Sequence, residues 1–304
     1  MGKKVSIITV NFNHSYLTDD LIGSINEFGG YDNLEIIVVD NGSTENPVPQ
    51  WVTKYPNIQF IRSEKNLGFA GGNNLGLSRA TGEYLFFVNN DTIFTSGLIH
   101  TLVDTLERNP SVGVVSPKLL YFDDPGMLQY AGYTPMNYYT ARNSCIGQYE
   151  RDHGQYDDLV GETGFAHGAA MMVKREAIDK AGTMAEHFFL YYEELDWCDR
   201  IKKEGFAVWV NMKATIYHKE SISVGKKSAL KEYFMNRNRL LFTRRNAPLP
   251  AKLFFWVYFI LVVTPRNVLD YIKTKNYNFI PQMWRAIVWN FTNSKNSTFL
   301  GFKQ

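Results

Sequence analysis

Glu83-Tyr-Leu-Phe-Phe-Val-Asn-Asn-Asp-Thr92 is the stretch that decides the fold. Tyr84 to Val88 is apolar and aromatic with no polar break, the pattern of a strand buried on both faces of a parallel sheet. The run stops at Asn89-Asn90-Asp91. Open α/β sheets bind ligands in the crevice beyond the C-terminal ends of their strands, so Asp91 is the first candidate functional residue. The same Asn-Asn-Asp-Thr also reads as a plain turn capping a helix that begins near Ser96. What weighs against the simpler reading is that the chain supplies partners for a metal-binding carboxylate.

Upstream, Val5 to Val10 and Leu34 to Asp40 are β-branched runs separated by a helix-length segment, Tyr16 to Glu27, which makes a βαβ unit. The second run also ends in an acid, Asp40, before a small polar turn, Asn41-Gly-Ser-Thr. Ile58 to Arg62 reads as a third strand. After it, Asn66-Leu-Gly-Phe-Ala-Gly-Gly-Asn-Asn-Leu-Gly76 is a glycine-rich loop ahead of a helix expected from Leu75 to Ala80. Close backbone approach there suits a phosphate at a helix N-terminus, although the spacing is not that of a P-loop and a plain loop accounts for it as well.

Downstream, Leu98 to Arg108 has helical spacing and ends at Asn109-Pro110, and Val112 to Lys118 is again a strand. Leu119 to Leu159 is an irregular excursion. A small-residue strand, Gly164 to Lys174, leads into a helix from Arg175 to Ala181. Phe188-Phe-Leu-Tyr-Tyr-Glu-Glu-Leu-Asp-Trp-Cys-Asp-Arg200 then sets acids behind an aromatic wall. With a helix starting near Glu193, Asp196 is expected on the same face as Glu193 and Glu194 on another, although an acidic first turn is also what a helix dipole favours. Ala207 to Val210 and Ala214 to His218 read as two short strands, the second ending in His218.

Composition sets outer bounds. The chain has 304 residues, 45% of them apolar, and a net charge of +2, enough for a large α/β domain with an appendage. Cys145 and Cys198 lack metal-ligand spacing and make no disulfide framework, which suits a reducing compartment. No signal-peptide pattern opens the sequence, and the sequons at Asn41 and Asn90 read as chance matches.

Val5-Ser-Ile-Ile-Thr-Val-Asn-Phe-Asn13, Val39-Asp-Asn-Gly-Ser43, Asn66-Leu-Gly-Phe-Ala-Gly-Gly-Asn73 and Leu85-Phe-Phe-Val-Asn-Asn-Asp-Thr92 together resemble the family 2 glycosyltransferases, and within them the bacterial rhamnosyltransferase-like branch. The resemblance covers roughly residues 3 to 245. It implies an α/β GT-A fold, with a mainly parallel Rossmann-like sheet, flanking helices and a C-terminal helical extension. It further implies a nucleoside-diphosphate sugar donor, a divalent cation, Mn²⁺ or Mg²⁺, and inversion at the anomeric carbon. By this likeness Asp40 corresponds to the acid that holds the nucleotide base, and Asn11 and Asn66 line its pocket. Val10, Asn13, Gly42, Gly68, Phe69, Gly72, Asn73, Asn89, Asn90, His167, Gly168 and Trp197 are the further substrate-binding candidates. Asp91 matches the last residue of the metal-binding DxD motif, whose first acid is here Asn89, and His218 matches a histidine that completes the metal site. Glu193-Glu194 stands where the family has Glu-Asp, so Glu194 is the first candidate for the base, with Glu193 and Asp196 as alternatives. Such chemistry needs these types, because a poor hydroxyl nucleophile requires a carboxylate to take its proton while charge builds on a leaving diphosphate. Tyr191, Tyr192 and Trp197 offer platforms for sugar rings.

Beyond that region the character changes. Lys226 to Lys252 holds eight Lys/Arg against one acid, Glu232, and Leu253 to Val263 is an aromatic apolar run. That run is shorter than the roughly 20 residues a spanning helix needs and suits a helix lying in a membrane interface, or else a buried helix or a dimer contact. The expected organisation is a catalytic domain over residues 1–225 and a basic, aromatic helical region over 226–304. The expected partners are the sugar nucleotide, a glycan or polyprenyl-diphosphate-linked acceptor and the inner face of a bacterial membrane, approached from the cytoplasm, with no nucleic acid. Two readings from other classes remain at this point: a catalytically silent glycan or sugar-nucleotide binder, and a nucleotidyltransferase.

Overall fold

The computed structural model describes residues 2–220 and 228–302. Lys226, Lys227 and the expected domain boundary at residue 225 lie outside the described residues. The N-terminal half runs β1 (Val5–Asn11), α1 (Ser15–Phe28), β2 (Leu34–Asp40), α2 (Val48–Lys54), β3 (Gln59–Arg62), α3 (Gly68–Leu77), β4 (Tyr84–Val88), β5 (Thr92–Phe94) and α4 (Leu98–Arg108). Then come β6 (Val112–Tyr121), β7 (Leu128–Tyr130), β8 (Val160–Glu162), β9 (Ala170–Lys174), α5 (Arg175–Ala181), α6 (Glu193–Lys203) and β10 (Ala207–His218). Four helices end the chain: α7 (Ala229–Asn246), α8 (Leu249–Tyr258), α9 (Thr264–Lys273) and α10 (Phe279–Thr292).

One mixed sheet carries the order β3-β2-β1-β4-β9-β6-β10-β5. Its β3-β2-β1-β4 half is parallel, whereas β9 runs antiparallel between β4 and β6. Every residue of β4 is buried, because helices cover both faces of the sheet at that point. Phe87 meets Trp197 edge-on at 5.3 Å in one core layer, and Phe86 packs with Phe94 in the other. Truncating either ring would cost about 3–5 kcal/mol, the usual range for an enclosed aromatic.

The structure revises several local expectations. Helix α3 starts at Gly68, seven residues before the expected Leu75, so the glycines lie inside the helix. Their use is close packing: a Cβ on Gly72 would come within 2.8 Å of Val10 Cγ1. The two short strands expected at 207–218 are one, β10, with a register shift between Asn211 and Thr215. The excursion after β6 is tied back by Lys118, whose ammonium pairs with Asp152 at 2.8 Å and Asp157 at 2.6 Å.

The apolar run near Leu253 is longer than its sequence suggested. A π turn at Phe259–Val263 joins α8 to α9, and Leu249–Lys273 becomes a continuous 25-residue helix, long and apolar enough by length and composition to cross a membrane. Pro265 does not break it, since the π turn directly before it takes up the hydrogen bond that its missing N–H cannot make. One side of this helix packs through Phe255, Phe259 and Val263 onto Leu240 of α7 and Met283 and Ile287 of α10. The other side leaves Leu253, Phe254, Val257, Leu261 and Val262 at least half exposed.

Candidate active site

A cavity of about 340 Å³ opens beyond the C-terminal ends of β1 and β4 and is closed by the segment leading into α6. Its walls bring together Val10, Asn66, Gly68, Phe69 and Asn73 on one side, Asn89, Asn90, Asp91, His167, Gly168 and His218 on another, and Glu193 and Glu194 from α6. These residues are contributed by positions more than 200 apart in the chain.

Asp91 follows the buried strand β4, and His218 is the last residue of β10. His218 Nε2 lies 3.1 Å from Asp91 Oδ1, and both side chains are almost wholly buried. The other imidazole nitrogen, Nδ1, lies 2.8 Å from Gln129 Oε1, and with Nδ1 donating there Nε2 is free to offer a lone pair. Among the described residues Asp91 Oδ1 has no hydrogen-bond donor. Two lone-pair acceptors facing one another at this distance repel unless a positive charge lies between them. The pair therefore fits a divalent cation, with Gln129 fixing the imidazole as such outer partners do. Among the described residues no cluster of three or more His, Cys, Asp or Glu is assembled for a metal, so the remaining ligands would come from diphosphate oxygens and water.

Glu193 and Glu194 both reach the cavity from the first turn of α6, where Tyr192 occupies the N-cap in a left-handed conformation. Burial pushes the Glu194 carboxyl up to about 7, and Glu193, buried beside the Glu194 charge, is held well above its ordinary value. Glu193 Oε2 has no partner. Near neutral pH the pair thus favours holding one proton, with Glu194 poised between acid and base. The approach is strained: Phe189, Tyr191 and Tyr192 have φ of 66°, 69° and 76°, a region that bulky side chains avoid. That strain is held from both sides. Phe69 N–H donates to the Phe189 carbonyl at 2.7 Å, and the Phe189 backbone sits where a Cβ on Gly68 would be. From α7, Asn238 Nδ2 donates to the carbonyls of Phe188, Leu190 and Tyr191 at 2.9, 2.7 and 2.8 Å.

Some expected site residues stand elsewhere. Asp196 does not share the cavity with Glu193. It is fully buried between Arg200 at 2.8 Å and Arg245 at 3.1 Å, and although burial works against its charge, the two guanidiniums hold its carboxyl below the ordinary range. It ties α6 to α7 and is no base. Trp197 is fully enclosed, donates Nε1–H to the Gly182 carbonyl at 2.7 Å, and belongs to the core, not to a sugar platform. Its ring packs edge-on against Phe87 of β4, on the sheet side of α6. Asp40 is enclosed as well: Asn11 Nδ2 and Ser43 Oγ donate to its Oδ1 at 2.9 and 2.5 Å, and Arg62 pairs with Oδ2. Asp40, Asn11, Asn13 and Gly42 therefore shape the turn behind the cavity without lining it, and Gly72 serves the packing of α3.

Other residues enter that the sequence did not single out. Asn41 accepts from Leu67 N–H and donates to Asn66 Oδ1, joining the turn after β2 to the start of α3. Phe12, His14, Tyr133 and Leu230 complete the walls, and Tyr133 stacks on His167. Burial, with His218 adding to it, pushes His167 down to about 3, so it stays neutral beside Asp91 and His218. Gln129 and Asn238 carry no motif; only their side-chain type, long and two-handed, hinted at bridging.

The mixed sheet with its flanking helices and C-terminal helical region is the GT-A fold of sugar-transferring enzymes. The chain belongs to glycosyl transferase family 2, whose model matches residues 6–182. It is 27% identical over 248 residues, 78% of this chain and 74% of the relative, to the low-salt glycan biosynthesis hexosyltransferase Agl10 of Haloferax volcanii. It is 22% identical over 216 residues, 64% of this chain and 70% of the relative, to the N-acetylglucosaminyl-diphospho-decaprenol L-rhamnosyltransferase of Mycobacterium tuberculosis. In fold it is similar to the mannosyltransferase PcManGT of Pyrobaculum calidifontis, solved with GDP-Man and Mn²⁺, with a TM-score of 0.56 at 17% identity over 97% of this chain and 77% of that one. The S. aureus TarS 1-349 structure aligns with a TM-score of 0.59 at 15% identity, over 95% and 81%. The protein is thus a glycosyltransferase of the hexosyltransferase type.

Proposed function

We propose that this enzyme moves a hexose, rhamnose first, from a nucleoside-diphosphate donor to a glycan or polyprenyl-diphosphate-linked acceptor, with inversion, in bacterial surface polysaccharide synthesis. The observation that carries the proposal is that the Asp91–His218 pair and the Glu193–Glu194 pair face one cavity of about 340 Å³. Glu194 takes the acceptor hydroxyl's proton as the bond to the anomeric carbon forms, a contribution of about 10²- to 10⁴-fold in rate. Glu193, protonated, keeps a second negative charge away from that base. Val10, Asn66, Phe69 and Asn73 shape the wall for the nucleotide, and Tyr191 offers a face to a sugar ring. A divalent cation held by Asp91 and His218 supplies charge neutralisation to the departing diphosphate. The Mn²⁺ in the mannosyltransferase complex supports that ion, and the mycobacterial relative's name supports both the rhamnosyl donor and a lipid-diphosphate acceptor.

The exposed apolar side of Leu249–Lys273 rests on the rest of the protein by its other side, which favours a helix lying in the membrane plane over one that crosses it. Lys252, Arg266 and Lys273 on that helix suit anionic headgroups, and the enzyme would work from the cytoplasmic face. The test is a panel of nucleoside-diphosphate sugars with and without Mn²⁺ or Mg²⁺, with product nucleotide and anomeric configuration read by NMR. Release of a nucleoside diphosphate and an inverted linkage are expected. Pyrophosphate release, or retention of configuration, would overturn the reading.

A further inference from the structure

We infer that a second cavity beside the first receives the diphosphate of a lipid-linked acceptor, an inference that rests on the glycosyltransferase reading and names the substrate part it would hold. This cavity has about 420 Å³ and lies between Tyr192, the Arg142 turn, α7 and Asn267 of α9. Arg142, Lys231 and Arg239 line it against a single acid, Glu232. That acid is already engaged: its Oε1 accepts from Asn236 Nδ2 at 3.0 Å and from the Tyr271 hydroxyl. Among the described residues no carboxylate forms an ion pair with Arg142, Lys231 or Arg239. Arg239 donates Nη2 to the Thr140 carbonyl at 2.6 Å, while its buried Nε has no partner. Three cations gathered against one carboxylate in a half-buried hollow leave positive charge in excess, and the cost is relieved when a polyanion fills it. Diphosphate oxygens match the planar fork of arginine, which binds them in pairs.

Position selects among anions. On one flank the cavity is bounded by Tyr192, the residue directly before Glu193 and Glu194. Burial raises the Tyr192 phenol to about 12, and its ring packs against Phe242 of α7. On the other flank the Arg239 guanidinium lies over Phe255 and Phe259 at 5.7 and 5.8 Å. Those two rings are the packed side of the helix whose far side exposes Leu253, Phe254, Val257 and Leu261. The helix that lines the hollow through Asn267 thus carries the apolar face on its far side, so one element joins a seat for a diphosphate to a surface for hydrocarbon. A free phosphate would use the hollow and leave the apolar face without a role, so the lipid ester is the occupant the geometry favours.

Binding of farnesyl diphosphate, farnesol and inorganic pyrophosphate to the full chain, measured by calorimetry in the absence of divalent metal, tests this. Farnesyl diphosphate should bind at least tenfold more tightly than either fragment. The pair Arg142→Gln/Lys231→Gln should weaken it tenfold or more with an unchanged melting temperature, Arg239→Gln should also weaken it, and Asp91→Asn should leave it intact. Absence of binding to the native chain, undiminished binding in the Arg142→Gln/Lys231→Gln variant, loss in Asp91→Asn, or equal affinity for pyrophosphate would each overturn the inference. No sugar nucleotide enters these measurements, so a failure of the transferase reading, seen as no consumption of any nucleotide sugar, is told apart from a failure here.

Discussion

Asn238 Nδ2 lies 2.8 Å from the carbonyl oxygen of Tyr191, so a helix of the C-terminal region holds the backbone two residues ahead of Glu193. The same amide reaches Leu190 and Phe188, and neighbouring Arg237 donates to the His187 carbonyl at 2.6 Å. Left-handed residues persist only where surroundings over-determine them, and α7 supplies that determination. Replacing Asn238 by Leu would take from the Leu190 and Tyr191 carbonyls their side-chain donor, at about 1–3 kcal/mol, while Phe188 keeps the Leu190 N–H and Arg237. The expected result is a lower melting temperature and a kcat reduced more than tenfold with the donor KM little changed. A kcat equal to that of the native enzyme would remove α7 from the positioning of the base.

The carboxylate pair predicts a split between its members. Glu194→Gln should lower kcat by about 10²- to 10⁴-fold, whereas Glu193→Gln, which copies the protonated partner, should retain most of it. In the native enzyme kcat should rise with pH along a limb centred near 7, set by the raised Glu194 carboxyl. Steady-state profiles from pH 5 to 9 check both statements, and a limb near the ordinary carboxylate value would contradict them.

The same shift carries a stability cost whose sign can be worked out. Glu194 binds its proton more tightly folded than unfolded, so its contribution is fully present below the unfolded value of about 4.5 and is lost as pH rises through about 7. Above that window the folded protein bears a buried charge, at a cost on the order of 2–3 kcal/mol. Glu194→Gln should therefore melt higher than the native protein at pH 8 and nearly with it at pH 4. Calorimetric melting at the two pH values decides it.

Gln129 contacts His218 at Nδ1, so it would govern a cation held by Asp91 and His218 without touching it. Gln129→Leu should weaken Mn²⁺ binding by about 10- to 100-fold, the range seen for lost outer partners, and Gln129→Glu should restore most of it. Titration followed by electron paramagnetic resonance reads free Mn²⁺ directly and needs no turnover. Equal affinity in the Leu variant would detach Gln129 from the site.

Much of this was local and therefore legible. The five-residue run of β4, the βαβ start and the acid placed after each strand are patterns of consecutive residues, and side-chain alternation along a strand is a property of the backbone itself. The glycines of α3 misled because a small residue that lets a phosphate approach is the same residue that lets a helix lie against Val10. The 253–263 run misled because a helix continues through charged residues when only one side must be apolar.

Sequence alone determined the family, the parallel half of the sheet and the acids that end its strands. Tertiary structure decided which acids share a cavity: Asp196 is claimed by Arg200 and Arg245, Asp40 by Arg62, and Glu193 and Glu194 are left without such partners. The reason is physical. A carboxylate's role depends on what surrounds it once the chain has closed, and the cations that neutralise one acid and spare another come from segments up to about fifty residues away, which no local pattern specifies.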